Sequence, residues 1–129
     1  MESLIIHATC NTPAVSFSTD GKLSISGRSI TTKTWGFYNT LFSWLEEYAK
    51  DPAPVTVLDL EFEVLNVDSL GRLMDLFRFL TRLRRAGFEA EINWYFEKED
   101  EDMTDVAAMV SEILGTIPVN GICIEKDVA

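Results

Sequence analysis

A strand pattern followed almost at once by a helix pattern, in the middle of the chain, constrains the fold more than any other feature. Residues 56–65 are rich in Val, Leu and Phe and follow a segment, 51–54, that contains two prolines, so they predict a central strand. Residues 70–85 predict a helix, because apolar side chains recur at positions 70, 73, 74, 77 and 80. The short segment 66–69 between them is therefore predicted to form a tight strand-to-helix turn.

This turn consists of Asn66, Val67, Asp68 and Ser69. Asn, Asp and Ser are preferred at helix N-termini, since their short side chains accept hydrogen bonds from backbone N–H groups that lack an intrahelical partner. The same helix end carries the positive pole of the helix dipole and tolerates an added anion. Two interpretations follow: the turn is a plain helix cap, or the Ser69 hydroxyl is also a phosphorylation site.

Strand and helix patterns alternate on both sides of the turn. The N-terminal part predicts a strand over 4–9 and a hairpin over 14–18 and 22–26, joined by the sequence Thr-Asp-Gly. Four apolar residues of the hairpin are expected to face the core: Val15, Phe17, Leu23 and Ile25. The remaining predicted elements are a helix over 33–50 capped by Thr31 or Thr32, a strand over 89–96, a helix ending near 114 and a strand over 118–124.

This order of elements predicts a single domain of the α/β class over residues 1–129. Strands that alternate with helices favour parallel pairing through right-handed crossovers, whereas the hairpin adds antiparallel strands. The sheet is therefore predicted to be mixed, with an N-terminal antiparallel hairpin and about three helices.

The charge balance excludes several classes of function. Eleven basic against 21 acidic residues give a net charge of −10, so neither a nucleic acid nor a membrane surface is expected as a partner. No apolar run has the length of a membrane span, and the N-terminus lacks a secretory signal pattern. Cys10 and Cys123 are predicted to be buried free thiols, which fits a cytoplasmic protein.

The predicted helix 70–85 is basic although the chain is acidic. Five of the eleven basic residues lie on it, with Asp75 as its single acid: Arg72, Arg78, Arg82, Arg84 and Arg85. Positive charge in the last turns complements the helix dipole, so a solvated face is one interpretation. A docking face for an acidic partner surface is the other.

No motif predicts catalysis, a metal site or a cofactor. The single histidine, His7, is expected in the first strand, and no nucleophile signature, zinc spacing, phosphate-binding loop or dinucleotide fingerprint accompanies it. Six acids fall within residues 97–105, but this segment lacks the glycine and the ligand spacing of an EF-hand. It is predicted to be a solvated loop whose Asp102 or Thr104 caps the next helix.

The helix after this acidic loop is expected to present one apolar face to the core. Its members are Val106, Met109, Val110 and Ile113.

Six short segments follow one another along the chain: TPAVSF at 12–17, ISGRS at 25–29, FY at 37–38, WLEEY at 44–48, INWYFE at 92–97 and DEDM at 100–103. Taken in this order, they resemble the SiaC-type family of bacterial regulatory phosphoproteins. Each segment is short, but together they extend over most of the chain in a consistent order.

The resemblance implies a fold similar to the STAS domains of anti-anti-sigma factors, and a signalling function connected with cyclic di-GMP. It implies a non-catalytic switch protein: a protein kinase phosphorylates it, a phosphatase reverses this, and the unmodified form binds and activates a diguanylate cyclase. The phosphorylated threonine of the family lies in an Asn-Thr-Ser-Ser-like turn, to which Asn66, Val67, Asp68 and Ser69 correspond. The acceptor position therefore holds Val67, which cannot be phosphorylated.

Two hypotheses accommodate this departure. In the first, Ser69 is the phosphate acceptor, and the added charge at the helix start repels a partner docked at the turn and at Arg72. In the second, the chain is a constitutive protein-binding module in which Asp68 supplies a fixed negative charge.

Overall fold

A computed structural model describes residues 2–30, 34–97, 100–115 and 117–124, and within them the chain forms six strands and three helices. The order of strands and helices is the predicted one. The elements are β1 (Leu4–Ile6), β2 (Ala14–Phe17), β3 (Lys22–Ser29), α1 (Thr34–Tyr48), β4 (Val55–Leu65), α2 (Val67–Arg85), β5 (Glu89–Glu97), α3 (Glu101–Leu114) and β6 (Val119–Ile124).

The strands form one mixed sheet in the order β1-β2-β3-β4-β5-β6. The first three pair antiparallel, whereas β3, β4, β5 and β6 pair parallel, so the prediction of a mixed α/β sheet with an N-terminal hairpin is confirmed. Each parallel connection contains one helix and advances by one strand in the same direction. Right-handed crossovers of this kind place all three helices on one face of the sheet.

The alternation of burial along β4 agrees with this one-sided arrangement. Leu58 and Leu60 are fully buried beneath the helices, whereas Asp59 lies on the opposite face. There Asn93 Nδ2 donates to Asp59 Oδ1 at 3.0 Å, and Asn120 Nδ2 donates to Asn93 Oδ1 at 3.0 Å. The face without helices is therefore polar, which explains why these strands alternate apolar and polar residues.

The core contains the four predicted hairpin residues, Val15, Phe17, Leu23 and Ile25, all of which are buried. From α1 it receives Tyr38, Leu41, Leu45 and Tyr48. Trp94 of β5 is fully buried at the centre, with its ring 6.1 Å from that of Phe62 and 6.2 Å from that of Phe77. The contact between Trp94 and Phe77 joins the sheet to α2, whose other buried core residues are mainly leucines.

Several predicted boundaries are wrong for local reasons. The first strand ends at Ile6 instead of residue 9, because the Thr9 hydroxyl accepts hydrogen bonds from the backbone N–H groups of Asn11 and Thr12 and forms a turn there. His7 consequently lies after the strand and is exposed. β3 continues to Ser29, because its pairing with β4 resumes beyond a bulge at Gly27.

The predicted solvated loop at 97–105 is also wrong in part. Asp100, not Asp102 or Thr104, caps α3, and its side chain accepts a hydrogen bond from the Met103 N–H at 3.1 Å. Glu101 and Asp102 therefore belong to the first turn of the helix, where negative charge is favourable.

The apolar face of α3 is rotated from its predicted position. Its buried residues are Met103, Ala107 and Val110, whereas Met109 is 43% exposed and Ile113 is 59% exposed. The prediction missed Met103 because it placed the start of the helix too late.

The two cysteines are free, as predicted, but both are exposed, so the prediction of buried thiols is wrong. Cys10 follows β1 in a loop, and Cys123 lies on the edge strand β6. The predicted caps Thr31 and Thr32 and the predicted tail 126–129 lie outside the described residues.

Candidate docking site at the β4–α2 turn

The turn between β4 and α2 is a single residue, Asn66, rather than the four residues predicted. Its Oδ1 accepts a hydrogen bond from the Ser69 N–H at 2.9 Å, which makes Asn66 the N-cap. Its own backbone N–H donates to the Ser29 carbonyl oxygen at 3.0 Å and so connects the turn to the end of β3. Val67, Asp68 and Ser69 are consequently the first three residues of the helix.

Val67 and Asp68 form the exposed part of this helix start. Val67 is 83% exposed, more than any other large hydrophobic residue in the described part of the chain. Asp68 is exposed in the first turn, where its charge complements the helix dipole. An apolar side chain beside a carboxylate is thus presented to solvent on a rigid, capped helix end.

Ser69, in contrast, is fully buried. The Ser29 hydroxyl donates to Ser69 Oγ at 2.7 Å and also lies 2.9 Å from the Tyr38 hydroxyl. Since a serine hydroxyl has one hydrogen to give, Tyr38 is the donor to Ser29. The Ser69 hydroxyl is therefore part of a buried three-hydroxyl network, and a kinase reaches it only if the turn opens. Phosphorylation at Ser69 stays a prediction.

The network joins β3, α1 and α2 through residues that are far apart in sequence. Ser29 and Tyr38 were not predicted to belong to the site, and no local pattern points to them, because they meet Ser69 only when the three elements pack. Burial raises the pKa of Tyr38, and hydrogen bonds with Ser29 and Ser69 partly oppose this shift.

Replacement of Tyr38 by Phe is expected to lower the free energy of unfolding by about 1 kcal/mol near neutral pH, because one buried hydrogen bond is lost. The folded pKa of Tyr38 lies above its ordinary value of 10.0, so the tyrosine ionises more readily in the unfolded chain. The contribution of the protonated Tyr38 hydroxyl to the free energy of unfolding is complete below pH 10 and is lost as the pH rises through the folded pKa. Urea titrations between pH 8 and 11 should show a steeper decline for the wild type than for Tyr38→Phe. Parallel profiles would contradict this assignment.

Arg72 lies on α2 beyond the turn, and its guanidinium forms an ion pair with Asp75 at 3.2 Å. Arg78 pairs with the same carboxylate, and Arg82 pairs with Glu46 of α1 at 3.4 Å. Three arginines of the predicted basic face are thus paired with acids: Arg72 and Arg78 within α2, and Arg82 with α1.

Other kinds of site were sought in the described part of the chain. No group of three or more His, Cys, Asp or Glu side chains there has an arrangement that could hold a metal ion. None of its helices is long and apolar enough to cross a membrane.

Comparison with known proteins places this fold. The family model for SiaC family regulatory phosphoproteins matches residues 6–124. The chain belongs to the SiaC family. No curated protein sequence matches it significantly.

Solved structures of SiaC from Pseudomonas aeruginosa share the SiaC fold seen in this chain. Apo-SiaC superposes with a TM-score of 0.85 at 24% identity, covering 95% of this chain and 99% of that one. A second SiaC structure gives a TM-score of 0.87 at 23% identity, covering 96% and 100%. A chain from the crystal structure of the diguanylate cyclase SiaD in complex with its activator SiaC gives 0.84 at 24% identity, covering 94% and 99%.

Proposed function

We propose that this protein is a non-catalytic signalling protein that binds and regulates a partner protein through the β4–α2 turn. The observation that carries the proposal is the exposure of Val67, which is 83% exposed beside Asp68 at a capped helix N-terminus. An exposed apolar side chain on a rigid element is well suited to anchor a protein interface, because little conformational entropy is lost on docking.

The proposed partner is a diguanylate cyclase. SiaC of Pseudomonas aeruginosa activates the diguanylate cyclase SiaD and is similar to this chain over almost the whole length of both. The proposed compartment is the cytoplasm, which the two free cysteines support.

Regulation of this docking has two candidate forms. Phosphorylation of Ser69 by a kinase, reversed by a phosphatase, would add a charge of about −1.5 to −2 at the helix start. The alternative is constitutive docking, with Asp68 as a fixed charge. The burial of Ser69 and the absence of a hydroxyl at Val67 support the constitutive form.

Replacement of Val67 by Glu is expected to weaken cyclase binding roughly 30-fold or more, since a carboxylate buried without a partner in the interface costs about 2 kcal/mol or more. The stability of the variant should stay within about 0.5 kcal/mol of the wild type, because Val67 is exposed. Calorimetric titration of the purified cyclase of the same organism, and its rate of cyclic di-GMP synthesis, measure the effect.

Ile113→Glu is the matched control. Ile113 is also an exposed apolar residue, but it lies at the end of α3 that precedes β6, near the amino ends of the parallel strands, whereas the turn follows the carboxyl end of β4. An equal loss of cyclase affinity in both variants, or a wild type that does not bind the cyclase, would refute the proposal. Unchanged cyclase affinity in both Ser69→Ala and Ser69→Glu, with both variants folded, supports the constitutive form.

A further inference from the structure

Positive charge is concentrated on one helix of this acidic protein. α2 carries five arginines against two aspartates, a net charge of +3, in a chain whose total is −10. The rest of the chain therefore carries −13. An acidic segment of another protein is repelled by most of this molecule and attracted to α2, so charge complementarity favours docking at this helix.

Three of these arginines line a groove between α1 and α2 with a volume of about 300 Å³. Its apolar lining consists of Phe42, Leu45 and Phe79. An apolar lining between cationic side chains suits an amphipathic ligand that has apolar groups along one face and carboxylates beside them.

Two of the three arginines of the groove, Arg78 and Arg82, are held by weak, exchangeable ion pairs. The side chains of Arg78 and Arg82 are 72% and 63% exposed, and their partners Asp75 and Glu46 belong to the same two helices. Exposed ion pairs of this kind contribute little to stability, so a carboxylate of a ligand can replace an internal carboxylate at small cost. The Arg82 guanidinium also lies over the Phe79 ring, 5.9 Å from its centre, which keeps it at the groove.

The groove begins one helical turn after the exposed helix start. Arg72, at the near end of the groove, follows Asp68 by four residues, so the two lie on the same face of α2, about 6 Å apart along its axis. A partner segment that covers Asp68 is therefore one turn away from the first of these arginines.

We propose that the α1–α2 groove binds an acidic amphipathic helix of the partner protein, with apolar side chains against Phe42 and Phe79 and carboxylates on Arg78 and Arg82. This inference deepens the proposed function by assigning the surface and the chemistry of the bound segment. A helix fits because the groove lies between two helices and is as long as several turns of α2, from Arg72 to Arg82.

The test uses a fluorescent synthetic helical peptide of about 18 residues, with leucines along one stripe and glutamates on both flanks, and a second peptide in which glutamine replaces every glutamate. Fluorescence anisotropy with the full chain measures both affinities. The acidic peptide should bind at least about tenfold more tightly than the glutamine peptide, and Arg78→Glu should remove that difference. Arg85→Glu, the same charge change at an exposed position of α2 outside the groove, should leave it within about twofold.

Three outcomes would overturn the inference. The first is equal affinity of the chain for the two peptides, and the second is an equal loss of peptide affinity in Arg78→Glu and Arg85→Glu. The third is self-association of the chain, measured by sedimentation, that Arg78→Glu abolishes; a second copy of the chain would then be the occupant of the groove. Thermal unfolding of each variant verifies its fold. The peptide experiment does not involve the cyclase, so its failure is distinct from a failure of the wild type to bind the cyclase.

Discussion

Replacement of Val67 by Thr should convert the β4–α2 turn into an efficient phosphorylation site. Val67 is 83% exposed in the first turn of α2, so a hydroxyl placed there is accessible to a kinase, unlike that of Ser69. Val and Thr have similar shapes, and an exposed substitution of this kind changes stability by about 0.5 kcal/mol or less. Phosphopeptide mapping after incubation with the proposed kinase partner and ATP should find the phosphate on residue 67 of the variant and none on this turn in the wild type.

Ser69→Ala in the wild type and in the Val67→Thr background provides the control for this experiment. Both Ser69→Ala variants should be labelled like their parents. Phosphate on Ser69 of the wild type would show that the Ser29–Ser69–Tyr38 network opens on the timescale of the reaction, and the constitutive hypothesis would then be wrong. An unlabelled Val67→Thr variant, with the kinase active on another substrate, would mean that the kinase does not recognise this turn.

Replacement of Trp94 by Ala should cause the largest loss of stability among these variants, about 3–5 kcal/mol. Trp94 is fully buried between the sheet and α2, and its removal leaves a cavity lined by Phe62 and Phe77. A loss of this size is a large part of the 5–15 kcal/mol typical of a domain, so the variant should be partly unfolded at 37 °C. Urea unfolding followed by circular dichroism measures it.

Trp94→Phe separates the packing of the ring from its polar atom. The Trp94 Nε1–H has no hydrogen-bond acceptor within the described residues, and an unsatisfied buried donor costs about 1–3 kcal/mol. Phe removes that donor while it keeps most of the aromatic volume, so the loss should be below about 1.5 kcal/mol. A loss equal to that of Trp94→Ala would contradict this account and would indicate an essential hydrogen bond.

The order of the elements and much of the core were predictable from the sequence because they depend on periodic patterns. Alternation along β2 and β3 predicted the inward side chains of Val15 and Ile25, and helical spacing predicted α2, whose Leu73 and Phe77 are buried. The end of α2 at Arg85 agrees with the predicted range, and Gly87 just beyond it adopts a φ of +98°, which favours glycine. Such patterns follow from local geometry and need no knowledge of distant residues.

The tertiary structure alone decided which residue of the turn is accessible. The sequence places Val67 and Ser69 two positions apart, and nothing local ranks their exposure. Tertiary packing determines their exposure. α1 and the end of β3 cover one side of the first turn of α2 and bury the Ser69 hydroxyl against Ser29 and Tyr38, whereas Val67 is exposed to solvent. The accessibility of the Ser69 hydroxyl depends on a contact between residues 40 positions apart, so the local sequence of the turn does not predict it.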